Sequence, residues 1–143
     1  MWNNIFIGCL LILITTFLHG LTTRYTMYLA IKYTESSKKR FKIAKEYLVS
    51  ITVLIIFFTI IIESIVWALG YMVLGAIEKF EPAFYFSLVT FTTLGYGDIT
   101  LGENYRLLAS FEAANGIIIF GWSTAIVIAV VQKVYLQKYS KKD

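Results

Sequence analysis

Three stretches of this chain, at about residues 5–31, 47–76 and 105–136, carry few charges and are rich in Ile, Leu, Val and Phe. About 20 consecutive apolar residues cross the ~30 Å hydrocarbon layer of a bilayer as a helix. Inside that layer every backbone polar group must find a partner within the protein, which leaves only helices and closed barrels. A barrel needs polar side chains at alternate positions, and residues 53–62 show no such alternation. The expected fold class is an all-α membrane protein with three transmembrane helices. Composition agrees: 58% of the residues are hydrophobic and 15% charged, whereas a soluble domain carries about a quarter charged residues.

The opening Met1-Trp2-Asn3-Asn4 lacks the basic start of a signal peptide, so residues 1–31 are read as a retained, peripheral transmembrane helix. Residues 32–46 form a basic linker, residues 47–136 the main domain, and residues 137–143 a basic tail. Within the main domain an outer helix is expected over 47–77 and an inner helix over 105–136. Between them residues 82–92 form an apolar piece too short to cross. Pro82 suits the first turn of a helix, where its missing N–H costs nothing. The piece is therefore a re-entrant half-helix, followed by a glycine-containing loop.

Of the thirteen Lys and Arg residues, all but Lys79 and Arg106 lie at or beyond the same two helix ends. The positive-inside rule places those ends in the cytoplasm, with the N-terminus outside and the C-terminus inside a multi-pass protein of the cell membrane. This placement also accounts for the net charge of +4 without nucleic acid as a partner. Cys9, the single cysteine, reads as a small packing residue in the first helix. One histidine and one cysteine leave no nucleophile–base set, so no enzyme is expected.

Irregular backbone at membrane depth is tolerated only where protein encloses it or it lines a water-filled path. The segment Thr92-Thr93-Leu94-Gly95-Tyr96-Gly97-Asp98 sits where such backbone must lie. It resembles the T-x-G-Y-G selectivity filter of the potassium channel family, in which backbone carbonyls replace the ion's hydration shell. The preceding Ala83-Phe84-Tyr85-Phe86-Ser87-Leu88-Val89-Thr90 is similar to that family's pore helix. The likeness covers roughly residues 47–136; the first span has no counterpart in the simplest two-helix channels.

The resemblance implies a homotetramer that conducts K+ passively, with no cofactor beyond the ions in the filter. K+ would be held by oxygens of Thr93, Leu94, Gly95 and Tyr96. Gly95 and Gly97 would supply the left-handed backbone, which glycine reaches without steric cost. Leu94 stands where valine is commoner, and its carbonyl faces the ion. Asp98 and Glu103 would draw cations to the outer mouth. Tyr85, Phe86, Thr92 and Glu112 would support the filter. Val89 replaces a glutamate found in many relatives, and a Tyr85–Asp98 bond is the expected substitute. Ile117, Phe120 and Thr124 would line the cavity, with Gly116 and Gly121 as hinge positions of the inner helix. No helix carries arginine at every third position, so gating is expected in the filter, in the inner helices or through a separate regulatory partner. A non-selective cation channel and a non-conducting subunit of a transport complex remain the alternatives.

Ionisable side chains at membrane depth are functional candidates. His19 and Glu63 lie at matching depths, roughly 20 Å below the outer ends of their helices at ~1.5 Å per residue. They are expected to pair, either as a proton-sensitive latch between the first helix and the main domain or as a link that fixes helix register. Glu112 is expected to bond the back of the pore helix or filter. Asn115 is read as a bend point or a bond between subunits, and Arg24 as reaching for the inner interface.

Overall fold

The structure, a computed structural model, describes residues 2–35 and 39–140, and side chains over 3–34 and 47–135. Four helices account for nearly all of these residues: α1 (Trp2–Glu35), α2 (Lys39–Val73), α3 (Phe80–Phe91) and α4 (Arg106–Ser140). The segments Asn3–Thr34, Tyr47–Val73 and Arg106–Tyr135 are long and apolar enough to cross a membrane. The described residues are helical or irregular, so the protein is an all-α membrane protein. α3, with 12 residues, reaches only about 18 Å at ~1.5 Å per residue.

Helix bounds differ from the expected ones at several ends. Most of the stretch taken as a linker, 32–46, is helical, because α1 runs to Glu35 and α2 starts at Lys39. Lys, Arg, Ala and Glu are strong helix formers, and a charged stretch can continue a helix beyond the apolar layer. Among the basic positions assigned to the linker and tail, Lys38, Lys141 and Lys142 lie outside the described residues. α2 ends at Val73 rather than 77, although Ala76 and Ile77 are apolar. Gly75, at φ +69°, turns the chain left-handed there. Its N–H donates to the Met72 carbonyl at 3.0 Å and that of Ala76 to the Tyr71 carbonyl at 2.9 Å. This is the Schellman pattern, and it closes the helix regardless of what apolar residues follow.

The first helix packs on the main domain. α1 lies against both α2 and α4, while α3 nests between α2 and α4. The buried positions of α1 are Asn4, Gly8, Leu11, Thr15, His19, Thr26 and Ala30, a stripe of three-, four- and seven-residue steps dominated by small and polar residues. In lipid, helices gain little from burying apolar surface against each other, so close packing and interhelical hydrogen bonds hold them. Such bonds recur along the stripe. Asn4 donates to the Asn104 carbonyl, and the Asn115 amide donates to Thr15 Oγ1 at 2.7 Å. Thr22 and Thr59 share a hydroxyl bond at 2.9 Å. Within the single chain, Asn115 ties α4 to α1.

Two apolar clusters result. Leu11, Trp67, Tyr71, Phe86, Phe91, Leu101, Leu108 and Ile119 pack around α3. Ala30, Leu48, Ile56, Ile126, Val130 and Val134 join α1, α2 and α4 at the other end.

Candidate functional site

α3 begins with Pro82 in its first turn and Glu81 beside it, both suited to a helix start. Its buried face, Ala83, Phe86, Ser87 and Phe91, meets α2 and α4. At its far end the Thr92 hydroxyl donates to the Leu88 carbonyl at 2.7 Å. The Thr93 N–H then donates to the Thr90 carbonyl and the Leu94 N–H to the Val89 carbonyl, each at 2.9 Å. This repeats the Schellman pattern that ends α2, with one difference: the left-handed residue is Thr93, at φ +59°, instead of a glycine.

Beyond Thr93 the handedness alternates. Gly95 and Gly97 have φ of +57° and +78°, whereas Leu94 and Tyr96 stay at negative φ. Alternating right- and left-handed residues turn successive peptide units so that N–H groups gather on one side, leaving the carbonyls to the other. A β-branched residue at positive φ costs about 1–2 kcal/mol, so Thr93 marks where the fold accepts strain. The expectation had assigned left-handed backbone to the two glycines alone.

The structure brings several sequence-predicted residues together. Tyr85 donates its phenol to Asp98 Oδ2 at 2.7 Å, and the Ile99 N–H donates to Asp98 Oδ1 at 3.1 Å. The Tyr85 bond holds the Asp98 carboxyl below the ordinary carboxylate range, and the same bond raises the Tyr85 phenol. A cavity of about 300 Å³ lies behind the loop, bordered by Tyr85, Phe86, Val89, Asp98, Leu101 and Arg106 among others. Glu112 Oε1 lies 2.5 Å from the Ser87 hydroxyl on α3, and Tyr71 donates to Glu112 Oε2 at 2.5 Å. Ser87 Oγ is also 2.7 Å from the Ser64 carbonyl. His19 Nδ1 meets Glu63 Oε1 at 3.1 Å, and His19 Nε2 meets the Ser123 hydroxyl at 3.3 Å. Both ring nitrogens are thereby engaged, Nδ1 by the Glu63 carboxyl group and Nε2 by the Ser123 hydroxyl.

The remaining sequence-predicted residues lie apart from these contacts. Phe86 is buried edge-on against Tyr71, with centroids 5.2 Å apart, so it braces α3 on α2. Glu103 borders a separate hollow with Asn3, Asn4 and Asn104, and its exposed carboxylate faces Arg106 at 4.0 Å. Gly116 lies in an unbroken helix. A side chain there would overlap the Phe91 carbonyl, so this glycine lets α4 touch the end of α3. Ile117, Phe120, Gly121 and Thr124 are all exposed on α4, on the face that α1, α2 and α3 leave uncovered. Leu94 and Tyr96 are 55% and 68% exposed. Tyr71, Ser87 and Ser123 were not singled out from sequence as partners. The available signal was a polar residue interrupting an apolar helical face.

A buried half-helix aimed at a left-right alternating loop, set between two spanning helices, defines a pore-loop membrane protein. Residues 49–133, more than half of the chain, match the family model described as an ion channel. The chain belongs to this ion-channel family. No curated protein and no solved structure gives a significant match.

Proposed function

We propose that the chain is one subunit of a homotetrameric, potassium-selective channel, and that residues 93–97 of four copies form its filter. The observation that carries this reading is the φ alternation at Thr93, Gly95 and Gly97 behind the buried C-terminal end of α3. A dehydrated K+ needs a cage of oxygens, and carbonyls presented from one side of four strands supply it. Thr93, Leu94, Gly95 and Tyr96 hold the ions, with the Thr93 hydroxyl as the innermost ring. The C-terminal end of α3 adds partial negative charge facing the cavity. Asp98 sits at the outer mouth. Ile117, Phe120 and Thr124 line the cavity, consistent with their exposure in the single chain.

Four copies around a closed axis give the four filter strands, since each chain supplies one. The same assembly would cover the exposed Leu94 and Tyr96. The N-terminus lies outside and the C-terminus in the cytoplasm of a cell membrane, as the distribution of basic residues supports. Gating lies in the filter, in the inner helices or with a separate regulatory partner.

Purified protein in liposomes tests the proposal. Barium-sensitive K+ flux with a reversal potential following the K+ gradient, and not the Na+ gradient, is the expected result. Equal permeability to both ions would identify a non-selective channel. Absence of flux from a correctly inserted tetramer would sink the reading in favour of a non-conducting subunit.

A further inference from the structure

Three short oxygen–oxygen contacts converge in the buried space between α2, α3 and α4. Tyr71 OH lies 2.5 Å from Glu112 Oε2, Ser87 Oγ lies 2.5 Å from Glu112 Oε1, and Ser87 Oγ lies 2.7 Å from the Ser64 carbonyl. Tyr71, Ser87, Ser64 and Glu112 are all 0% exposed. Each contact at such a distance needs a proton between its two oxygens. Tyr71 and Ser87 bring one proton each, and a backbone carbonyl brings none. The third proton has one remaining source, the Glu112 carboxyl.

We infer that Glu112 is held as the neutral acid and is the positioning residue for the half-helix α3. Its Oε1–H donates to Ser87 Oγ, Ser87 donates to the Ser64 carbonyl, and Tyr71 donates to Oε2. Every proton and every acceptor in this chain is then used once. Charge leads to the same assignment. The titratable group facing Glu112 from α2 is the Tyr71 phenol, and α3 presents the uncharged Ser87. His19 is engaged with Glu63 and Ser123, and Arg106 with the exposed Glu103. An ionised carboxylate buried without a counter-charge is strongly disfavoured.

The consequence is mechanical. The three bonds run from α4 through α3 to α2, and each donor has one acceptor. The half-helix therefore cannot slide or rotate without stranding a buried polar group. An acid is suited to this place because its two oxygens do opposite jobs, one donating and one accepting. A glutamine can do the same; an ionised carboxylate cannot. The effect on ion selection rests on the channel reading above, but the protonation does not.

Infrared spectroscopy of the wild-type protein in lipid reads the proton directly. The expected spectrum contains a protonated-carboxyl stretch that disappears in Glu112→Gln and persists in Glu63→Gln. In Ser87→Ala the band shifts to higher frequency, because the acid has lost its acceptor. Glu112→Gln is expected to keep K+ over Na+ selectivity within about twofold, whereas Glu112→Ala loses roughly tenfold, the scale of one stranded buried hydrogen-bonding group. Loss of an ionised-carboxylate band in Glu112→Gln would overturn the assignment. So would a Glu112→Gln channel as impaired as Glu112→Ala. Should Glu112→Ala fail to assemble, the Ser87→Ala band shift decides. A wild-type protein that does not conduct would remove the channel reading and leave the infrared result standing.

Discussion

α2 and α3 end in the same hydrogen-bond pattern, yet they put different residues at its left-handed position. Gly75 closes α2, with nothing within 4 Å of the place a side chain would take. Thr93 closes α3 at nearly the same φ. Glycine is the low-strain solution, and α2 adopts it where the chain only has to stop and turn. Threonine at this position stores strain that must be offset elsewhere, and strain of this kind gathers at functional sites. On the proposed channel reading, the α3 end is shaped by what the loop must present, a hydroxyl and a carbonyl, while the α2 end only has to stop and turn.

The surroundings of the two ends differ accordingly. The α2 end leads into an exposed connection, whereas the α3 end is gripped. Phe91 is fully buried, α4 touches its carbonyl at Gly116, and Ser87 is bound to both Glu112 and Ser64. These contacts supply the rigidity that keeps Thr93 left-handed. Breaking that grip should have the largest effect. Gly116→Ala forces α4 away from the Phe91 carbonyl, and overpacking on this scale costs roughly 3 kcal/mol. Denaturation in detergent should show the loss, together with a smaller fraction of assembled channels. Unchanged stability would mean that α4 does not bear on the α3 end.

Exchanging the residues at the two ends sharpens the contrast. Thr93→Gly relieves about 1–2 kcal/mol of strain against ~0.5–1 kcal/mol of added chain entropy. Stability should therefore hold or rise slightly. K+ over Na+ selectivity, read from reversal potentials, should fall about tenfold, equivalent to ~1.4 kcal/mol for a lost oxygen ring. Gly75→Thr should do the reverse, with stability falling by roughly 1 kcal/mol and selectivity unchanged. If both variants changed stability alone, the strain at Thr93 would have no functional counterpart.

The smallest effect is expected at Tyr85. Its bond places the Asp98 value in the folded protein below that of the unfolded chain. The bond's contribution is thus complete above the unfolded value and is lost as pH falls through the folded one. In Tyr85→Phe the Asp98 value returns toward the ordinary carboxylate range. The acid limb of the external pH dependence of current should move to higher pH. An unmoved acid limb would mean that Asp98 does not control cation entry.

Much of this molecule was legible in the residues alone. The three spans follow from run length, because hydropathy is a local property and a bilayer imposes one thickness on every helix. The half-helix followed from Pro82 and its shortness, and the irregular loop after it from its glycines. The Tyr85–Asp98 and His19–Glu63 contacts were anticipated from a family likeness and from matching depth. Other features were not legible. The close of α2 at Val73 was hidden by the apolar Ala76 and Ile77, since an apolar run does not reveal where a left-handed glycine turns the chain. Tyr71 and Ser87 gave no sign of sharing one carboxyl with residue 112, because partners so far apart meet only after the helices have docked.

The amino-acid order by itself determined that this chain lives in a membrane, how many times it can cross, and which short stretch must depart from helix. Tertiary packing decided that α1 is bound into the structure by a polar stripe, that Gly116 is a contact point within a continuous helix, and that Thr93 is left-handed. The physical reason is the range of the forces involved. Hydropathy and turn preference act over a few neighbouring residues, but the rotation of each helix, and with it the partner of every buried polar group, depends on all the helices packed around it.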